Sequence, residues 1–323
     1  MTPLFGHQEA VAAFKESLAT GRLHHAWLVT GPAGIGKNLF AEKAALRLLA
    51  DAAGPLVSAP GIDVPEDHPI AKLFSAGSHP DFKRLERLTK DSGTELARSI
   101  TVDQVRELQR LFSTTASFSP WRVVVIDSID DLERPAANAL LKNLEEPPPN
   151  SLFLLVSHAP ERLLPTIRSR CRVLRLSSLD DQQMRAALRE AFPDADEDEL
   201  GDLVQAGKGS PGQAARFRGL DIAGLDRTMA ALLAGDPGNG LRQVLAQSLA
   251  IKSAQPRYEA FLARAPSFIA DNAKSRRGEE LSLAIKAWER AQDLASGAVR
   301  LSLDPYAVTF ELGTIIASLA RSD

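Results

Sequence analysis

The stretch from Gly31 to Asn38, written GPAGIGKN, limits the fold of this chain more than any other part of the sequence. It follows an apolar run, AWLVT at residues 26–30, that is typical of a buried strand, and it precedes helical periodicity at residues 38–50. Its glycines let successive backbone amides turn toward phosphate oxygens, and the following helix offers the positive end of its dipole. The order strand, glycine-rich loop and helix predicts a phosphate-binding loop.

The last residue of this loop decides what chemistry the loop can support. The predicted nucleotide-binding residues are Gly31, Pro32, Ala33, Gly34, Ile35, Gly36, Lys37 and Asn38. Lys37 supplies a point charge for phosphate, but loops that hydrolyse nucleotides carry Ser or Thr in place of Asn38, because that hydroxyl binds Mg²⁺. Three alternatives stay open at this point: the loop hydrolyses ATP, it only holds a nucleotide, or it retains the backbone shape alone.

Apolar runs and helical segments alternate as far as residue 176. Strands are predicted at residues 26–30, 122–127, 152–157 and 173–176, and helical segments at residues 7–20, 38–50, 104–114, 135–145 and 161–168. This alternation implies a parallel sheet with helices on its faces. The Pro- and Gly-rich residues 51–78 interrupt the pattern and are interpreted as an insertion with a short helix around residues 70–74.

The chain beyond residue 177 has only helical patterns. Helices are predicted at residues 180–192, 197–205 and 213–217, and others follow residue 222, the last with Asp304 as its N-cap and Pro305 in its first turn. We therefore predict an α/β domain over residues 1–177, a small helical domain over residues 178–220 and a larger helical domain over residues 221–323.

The composition excludes several functional classes. Apolar residues make up 44% and charged residues 24% of the 323 residues, as in globular proteins, and the net charge of −3 disfavours binding of nucleic acid through bulk positive charge. The N-terminus lacks a signal-peptide pattern, and no apolar run approaches the ~20 residues that span a bilayer. The single cysteine, Cys171, cannot form an internal disulfide. We expect a cytoplasmic protein without membrane contact.

A second motif, VVVIDSIDDL, ends a predicted strand in a carboxylate. Asp127 is expected at the carboxyl edge of the sheet, where ligands of open α/β sheets bind and where a carboxylate can hold a magnesium-bound water. In hydrolysing proteins a second carboxylate follows directly, but this chain has Ser128, whose hydroxyl is a poor general base. Asp130 and Asp131 are interpreted as helix-start or solvated charges.

Further strings carry a specific resemblance to a known family. AANALLKNLEEPP at residues 136–148 and SLFLLVSHAPERLLPTIRSRC at residues 151–171, with HHAWLVTGPAGIGK, SHPDF and ITVDQVRELQ, resemble the clamp-loader branch of the AAA+ family. The triplet Ser169-Arg170-Cys171 matches the SRC motif of that branch. The resemblance covers residues 4–217. It implies an α/β fold class: an AAA+ P-loop parallel-sheet domain, then a small helical lid and an all-α C-terminal collar domain for oligomerisation.

That branch contains ATPase motor subunits and a stator subunit that resembles them. Three departures point to the stator: Asn38, Ser128 and the sensor-2 position, an arginine in motor subunits, which falls here on Pro211 or Gln213. Because phosphoryl transfer depends on positioning and charge neutralisation, we expect no intrinsic ATPase activity. Ser157 takes the sensor-1 position, where its expected role is structural.

The resemblance assigns the catalytic role to Arg170, with Ser169 beside it. It implies that the Arg170 guanidinium acts in trans, as an arginine finger in the ATP site of a neighbouring motor subunit. The alternative is an arginine that lies on the surface or in a salt bridge without such a role.

The resemblance also implies partners and cofactors. The chain would be a subunit of the hetero-oligomeric clamp loader of DNA polymerase III, a DNA-directed DNA polymerase and nucleotidyltransferase complex that acts in DNA replication. Implied partners are gamma/tau-type ATPase subunits and a delta subunit, with the sliding clamp and primer–template DNA reached through the complex. No cofactor is required. Many relatives carry a four-cysteine zinc module in the insertion, but residues 51–82 contain no cysteine, so we expect no zinc and no other metal.

Two alternatives compete with the stator interpretation. The first is an AAA+ ATPase motor subunit, or a related ATP-dependent DNA remodeller, that hydrolyses ATP itself. The second is a chain that holds ATP or ADP as a structural ligand without hydrolysis.

Overall fold

The computed structural model describes residues 2–89, 93, 96–113 and 117–320. Internal packing divides the chain into two compact units. One contains Met1–Ala191 with Lys208–Gly212, and the other contains Phe192–Gly207 with Gln213–Asp323. No helix within the described ranges is both long and apolar enough to cross a membrane. The boundaries of the three-domain division stay a prediction.

The first unit is built on a five-stranded parallel sheet. Its strands are β1 (Ala26–Thr30), β2 (Phe82–Glu86), β3 (Arg122–Asp127), β4 (Ser151–Ser157) and β5 (Arg172–Arg175), in the spatial order β2-β3-β4-β1-β5. Every residue of β1 and β4 is buried. These central strands are covered on both faces, which explains their unbroken apolar sequences. The predicted parallel α/β architecture is confirmed.

Strand β2, whose sequence is FKRLE, was not predicted from the sequence. This strand lies at the edge of the sheet, where β3 is its one partner in the described part of the chain, and Leu85 is its one buried residue. An edge strand tolerates charged side chains because one of its sides is open to solvent. The apolar runs that identify central strands are therefore absent from β2. Its polar residues, Arg84 in particular, lie beside the predicted site.

Helices cover the faces of this sheet. The helices of this unit are α1 (Gln8–Ala19), α2 (Lys37–Ala53), α3 (Pro69–Ser75), α4 (Val102–Arg106), α5 (Leu108–Ser113), α6 (Arg134–Glu145), α7 (Pro165–Arg168) and α8 (Asp181–Ala191). The helix predicted at residues 104–114 is two short helices, of which α4 begins earlier because Thr101 and Gln104 form a capping box. Residues 114–116 lie outside the described residues.

The insertion after α2 is organised by one buried arginine of that helix. The Arg47 guanidinium donates hydrogen bonds of 3.0–3.3 Å to the backbone carbonyls of Val57, Ala59, Gly61 and Asp63. Its Nε also donates to the Asp51 carboxylate over 2.8 Å. Lys43, one turn earlier, forms an ion pair with Asp63 at 2.6 Å. A guanidinium thus fixes the loop in the region where zinc was considered; the expectation of no zinc stays a prediction.

The second unit contains helices and no strand among its described residues. Its elements are α9 (Glu197–Gly207), most of α10 (Pro211–Phe217), α11 (Ile222–Ala234), α12 (Gly240–Leu249), α13 (Gln255–Ala273), α14 (Gly278–Arg300) and α15 (Pro305–Ala317). The buried Arg264 of α13 joins two neighbouring helices, since it pairs with Asp226 of α11 and donates to the Ala206 carbonyl of α9 over 2.9 Å. Asp304 caps α15, as predicted, by accepting from the Ala307 amide at 2.8 Å.

Candidate functional site

The loop between β1 and α2 has the geometry of a phosphate-binding loop. Gly31, Gly34 and Gly36 have φ angles of +142°, +77° and +99°, a region that side chains other than glycine rarely adopt. A Cβ atom on Gly31 would also lie 2.3 Å from the carbonyl oxygen of Leu176. Helix α2 begins at Lys37, directly after the loop. The strand, loop and helix predicted from the sequence are therefore present, and glycine is required at the positions that bend the backbone.

The Lys37 ammonium lies folded onto its own loop. The side chain is buried, and its Nζ donates to the carbonyl oxygens of Gly31 at 2.7 Å and Pro32 at 2.6 Å. Burial lowers the pKa of Lys37 to about 8, although the negative charges of Asp130 and Asp127 act in the opposite direction. The lysine expected to bind phosphate is thus held by backbone oxygens of the loop.

Segments distant in sequence bind the next three carbonyls of the loop. Ser210 Oγ donates to the Ala33 oxygen at 2.8 Å, and the Gly212 amide donates to the Gly34 oxygen at 2.9 Å. His7 Nε2 lies 2.8 Å from the Ile35 oxygen, and burial lowers the pKa of this histidine, which favours a neutral ring that donates. These partners fix the backbone shape of the loop; neither His7 nor Ser210 was found by the sequence analysis.

The predicted sensor-2 region lies in this same turn. Gly212 stands between the two candidate positions, Pro211 and Gln213, and a Cβ on it would come within 2.9 Å of the Gly34 Cα. At Gly212 the turn therefore approaches the loop so closely that only backbone fits, and the contact there is made by the Gly212 amide. Neither candidate position carries a guanidinium.

Asn38 contacts its own helix through one end of its amide. Its Nδ2 donates to Glu42 Oε1 at 3.3 Å, one turn further along α2. Its Oδ1 is buried and has no hydrogen-bond partner among the described residues. The Asn38 amide nitrogen therefore donates to a carboxylate of the protein, whereas the Ser or Thr hydroxyl of a hydrolysing loop binds Mg²⁺.

Asp127 ends β3 at the carboxyl edge of the sheet, as predicted. Burial raises its pKa, although the charges of Arg84 and His158 act to lower it. The following residue, Ser128, is buried, and its Oγ donates to Asp130 Oδ2 at 2.9 Å. Its hydroxyl hydrogen is thus used in a structural contact, and no carboxylate stands at the position where a hydrolytic base would follow Asp127.

Asp130 is the centre of the hydrogen-bond network at this edge. Its carboxylate accepts from Ser128 Oγ and Ser157 Oγ, both at 2.9 Å, and from the amides of His158 at 2.6 Å and Ala159 at 3.2 Å. Burial alone would raise the pKa of Asp130, but these hydrogen bonds lower it overall. The interpretation as a solvated charge is wrong, because the carboxylate joins the ends of β3 and β4. Asp130 does lie in a short 3₁₀ helix, Ile129–Asp131, so its helix-start position is confirmed.

Ser157 is fully buried at the end of β4, and its hydroxyl binds Asp130. The structure therefore brings together the loop, Asp127, Asp130 and Ser157 at one end of the sheet. The sequence does contain a signal that could have identified Asp130, namely a short polar run after each of two buried strands. Each run contributes one serine, Ser128 or Ser157, that binds the Asp130 carboxylate in the structure.

Arg170 and Ser169 lie apart from this network, on the turn after α7. Arg170 Nη1 donates to the Thr166 carbonyl at 2.8 Å, and Ser169 Oγ donates to the same carbonyl at 3.2 Å. Arg170 Nη2 forms an ion pair with Glu145 Oε1 at 2.8 Å, and the arginine side chain is 33% exposed. Next to them, burial raises the pKa of the Cys171 thiol to about 12, which makes it a poor nucleophile.

The parallel sheet and the place of the phosphate-binding loop between β1 and α2 define the first unit as an α/β domain of the P-loop class. Comparison with protein families narrows this class. Residues 6–180, more than half of the 323-residue chain, match the family described as DNA polymerase III, delta subunit, and the chain belongs to this family.

Individual relatives agree with the family match. The chain is 38% identical over 202 residues to DNA polymerase III subunit delta' of Pseudomonas aeruginosa, covering 61% of this chain and 57% of the relative. It is 32% identical over 210 residues to the delta' subunit of Escherichia coli, covering 63% of this chain and 57% of the relative. The chain thus spans a little over half the length of these relatives. A solved gamma subunit-related protein of Thermotoga maritima aligns over 95% of this chain and 99% of its own, with 14% identity and a TM-score of 0.44.

Proposed function

We propose that this chain is a non-hydrolysing, delta'-type subunit of a DNA polymerase III clamp loader that helps to place the sliding clamp on primed DNA during replication. The delta' names of its relatives support the assignment. Its partners are gamma/tau-type ATPase subunits and a delta subunit, and it reaches DNA and the clamp through the complex.

The arrangement of the loop and sheet edge supports the absence of hydrolysis. Lys37 is bound to two loop carbonyls, Asn38 donates to Glu42, and the hydroxyl of Ser128 is bound to Asp130. The side chains at these three positions are therefore already bound within the protein, and phosphoryl transfer needs these positions for charge neutralisation or for activation of water. Two of these contacts are made by replaced residues, Asn38 and Ser128, and the sensor-2 position lacks its arginine as well, so together they disfavour the motor-subunit alternative.

Arg170 carries the proposed chemistry. Its guanidinium is part-exposed on a short turn, and its exposed partner, Glu145, can be exchanged for another anion at small cost. In the proposed complex this guanidinium stabilises the charge that develops on the phosphoryl group in a neighbouring subunit's ATP site. Ser169 shares the Thr166 carbonyl with Arg170 and orients the turn.

The decisive experiment is ATP turnover by the reconstituted clamp loader with Arg170→Ala in this subunit. Arginine fingers contribute roughly 10³–10⁵-fold to turnover, so clamp- and DNA-stimulated hydrolysis at the neighbouring site is expected to fall by at least about 10²-fold. Arg168→Ala is the matched control, since Arg168 is an exposed arginine two residues away. Wild-type turnover by the Arg170→Ala complex would contradict the finger.

The isolated chain separates the remaining alternatives. We expect no phosphate release from ATP, and no change with Lys37→Ala. Turnover that Lys37→Ala abolishes would establish the motor alternative. Binding of a fluorescent ATP analogue without phosphate release would establish that the loop holds a nucleotide as a structural ligand.

A further inference from the structure

Arg84 of β2 places a guanidinium beside the carboxylate at the end of β3. Its Nη1 lies 2.5 Å from Glu42 Oε1, and its Nη2 lies 2.7 Å from Glu86 Oε2 and 3.7 Å from Asp127 Oδ2. The side chains of Arg84, Glu42 and Asp127 are all mostly buried, with 34%, 24% and 23% exposed. One positive charge therefore serves three carboxylates, of which Glu42 and Asp127 have limited access to water and Glu86 is 49% exposed.

The positions of these residues follow from the sheet register. Glu86 pairs with Asp127 at the carboxyl ends of β2 and β3, and Arg84 precedes Glu86 by two residues on the same face of β2. Glu42 enters from α2, one turn after Asn38, and accepts from the amide of Asn38 as well as from Arg84. The planar, multidentate guanidinium suits such a bridge better than an ammonium would. Arg84 thus connects α2, β2 and β3 at the end of the phosphate-binding loop.

A magnesium ion is what hydrolysing P-loop proteins hold at this place, between the loop hydroxyl and the strand carboxylate. Mg²⁺ requires oxygen ligands in near-octahedral geometry at about 2.0–2.1 Å. Here Asp127 faces the Arg84 cation, so the strand carboxylate already has a positive partner. At the loop position, Asn38 turns its amide nitrogen to Glu42 and keeps a single buried oxygen, Oδ1, without a hydrogen-bond partner among the described residues. Among the described residues, no three acidic, histidine or cysteine side chains are arranged to hold a metal ion. Magnesium does not fit this site.

We infer that Arg84 replaces the divalent cation of this P-loop domain with a charge built into the fold. The guanidinium neutralises Asp127 and ties it to the helix that follows the loop, a linkage that hydrolysing proteins obtain from a bound metal. The loop and sheet edge of this chain are therefore organised without Mg²⁺. This inference concerns the isolated chain and stands whether or not Arg170 acts as a finger.

The test is thermal unfolding of the full chain in EDTA and in millimolar MgCl₂. The variants are Arg84→Ala and Arg84→Gln, the second of which keeps a polar side chain of useful length in case the first does not fold. Arg87→Ala is the matched control, because Arg87 is on the same edge and pairs with one carboxylate, Asp131, at 3.1 Å. Binding of Mn²⁺, followed by its electron paramagnetic resonance signal, gives a second readout.

The wild-type Tm is expected to be the same in EDTA and MgCl₂, with no Mn²⁺ site. In EDTA the Arg84 variants should unfold on the order of 2–4 °C lower than the Arg87 control, because three carboxylates lose their common partner. Mg²⁺ should restore at least half of this loss, since flexible glutamates can close on a small cation, and Mn²⁺ should now bind. A wild-type Tm that rises with Mg²⁺ would overturn the inference. The inference would also be overturned if Mg²⁺ raised the Tm of the Arg84 variants no more than it raises the Tm of Arg87→Ala.

Discussion

The Arg170 guanidinium forms an ion pair with the Glu145 carboxylate at 2.8 Å and so joins the turn after α7 to the last residue of α6. Glu145 is 46% exposed, so water screens the pair. Exposed pairs typically contribute ~0.2–1 kcal/mol. We therefore predict a coupling free energy below about 1 kcal/mol in a double-mutant cycle of Glu145→Gln and Arg170→Gln, measured by urea unfolding of the isolated chain.

The control for this cycle is Glu146→Gln, the adjacent carboxylate, combined with Arg170→Gln. A coupling of several kcal/mol between Glu145 and Arg170 would mean that the arginine is fixed within its own subunit. It would then be unable to exchange its carboxylate for a phosphate of a neighbour.

Asp130 provides the second prediction. Asp130→Ala would leave the buried hydroxyls of Ser128 and Ser157 and two backbone amides without their acceptor. Loss of such an acceptor costs about 1–3 kcal/mol for each buried group that stays unsatisfied, less where water replaces it. We predict a fall in the free energy of unfolding of ~2–4 kcal/mol, measured by urea titration at pH 7.

The pH dependence of this effect has a defined sign. The pKa of Asp130 is lower in the folded chain than the ~3.9 of an unfolded aspartate, so its stabilising effect is complete above that value and is lost as the pH falls through the folded pKa. The difference between wild type and Asp130→Asn should be constant above pH ~5 and shrink in more acidic solution. A difference that grows toward low pH would contradict the network.

The sequence identified the central strands and the loop because their signals are local. AWLVT, RVVVID and SLFLLVS are apolar throughout, and the loop glycines have φ angles that almost exclude other residues. Strand β2 carries neither signal, since FKRLE is an edge strand that owes its pairing to β3. This strand forms because it pairs with β3, and the hydrophobic periodicity of its own five residues does not indicate that pairing.

Part of the candidate site could be predicted from the sequence because its signals are also local. Lys37, Asp127 and Ser157 are at fixed offsets from strands and loop and could be placed by motif. The partners of the loop could not, because His7 and Ser210 are separated from it by 28 and 177 residues in sequence. Arg84 lies 42 residues from Glu42, on the strand that was missed. Charge relationships of this kind depend on which chain segments the fold brings together.

Arg47 is the basis of the third prediction. Four carbonyls of the insertion converge on its guanidinium, which is 8% exposed, so Arg47→Ala should release residues 57–63 as a unit. A loss of ~2–4 kcal/mol in the free energy of unfolding is expected, since one buried and three partly buried acceptors lose their common donor. Amide hydrogen exchange in residues 55–68 should increase more than exchange in the sheet.

Arg47→Lys is the informative companion variant. A lysine keeps the charge but is a compact donor that cannot reach four carbonyls in the plane of a guanidinium. We expect it to recover only a minor part of the stability and protection. Equal protection in the Lys variant and wild type would mean that charge alone, and not the geometry of the guanidinium, organises the insertion.

Lys37 gives the last prediction, on the loop itself. Its folded pKa of about 8 lies below the unfolded value of ~10.4, so the folded chain releases this proton first. Between these two values the unfolded state binds more protons, and the free energy of unfolding therefore rises with pH. Relative to Lys37→Met, wild type should gain ~1–3 kcal/mol from pH 7.5 to pH 10, measured by urea unfolding at each pH.

The ammonium can also be observed directly by ¹⁵N NMR of lysine Nζ atoms, with Lys37→Met to assign the signal. A titration midpoint near 8 would mean that burial outweighs both the nearby carboxylates and the hydrogen bonds to Gly31 and Pro32. A midpoint near 10.4, with no change in relative stability, would mean instead that those oxygens replace the water that the ammonium loses. The lysine would then be available to phosphate as a full charge, which would favour the nucleotide-holding alternative over a loop that retains only its shape.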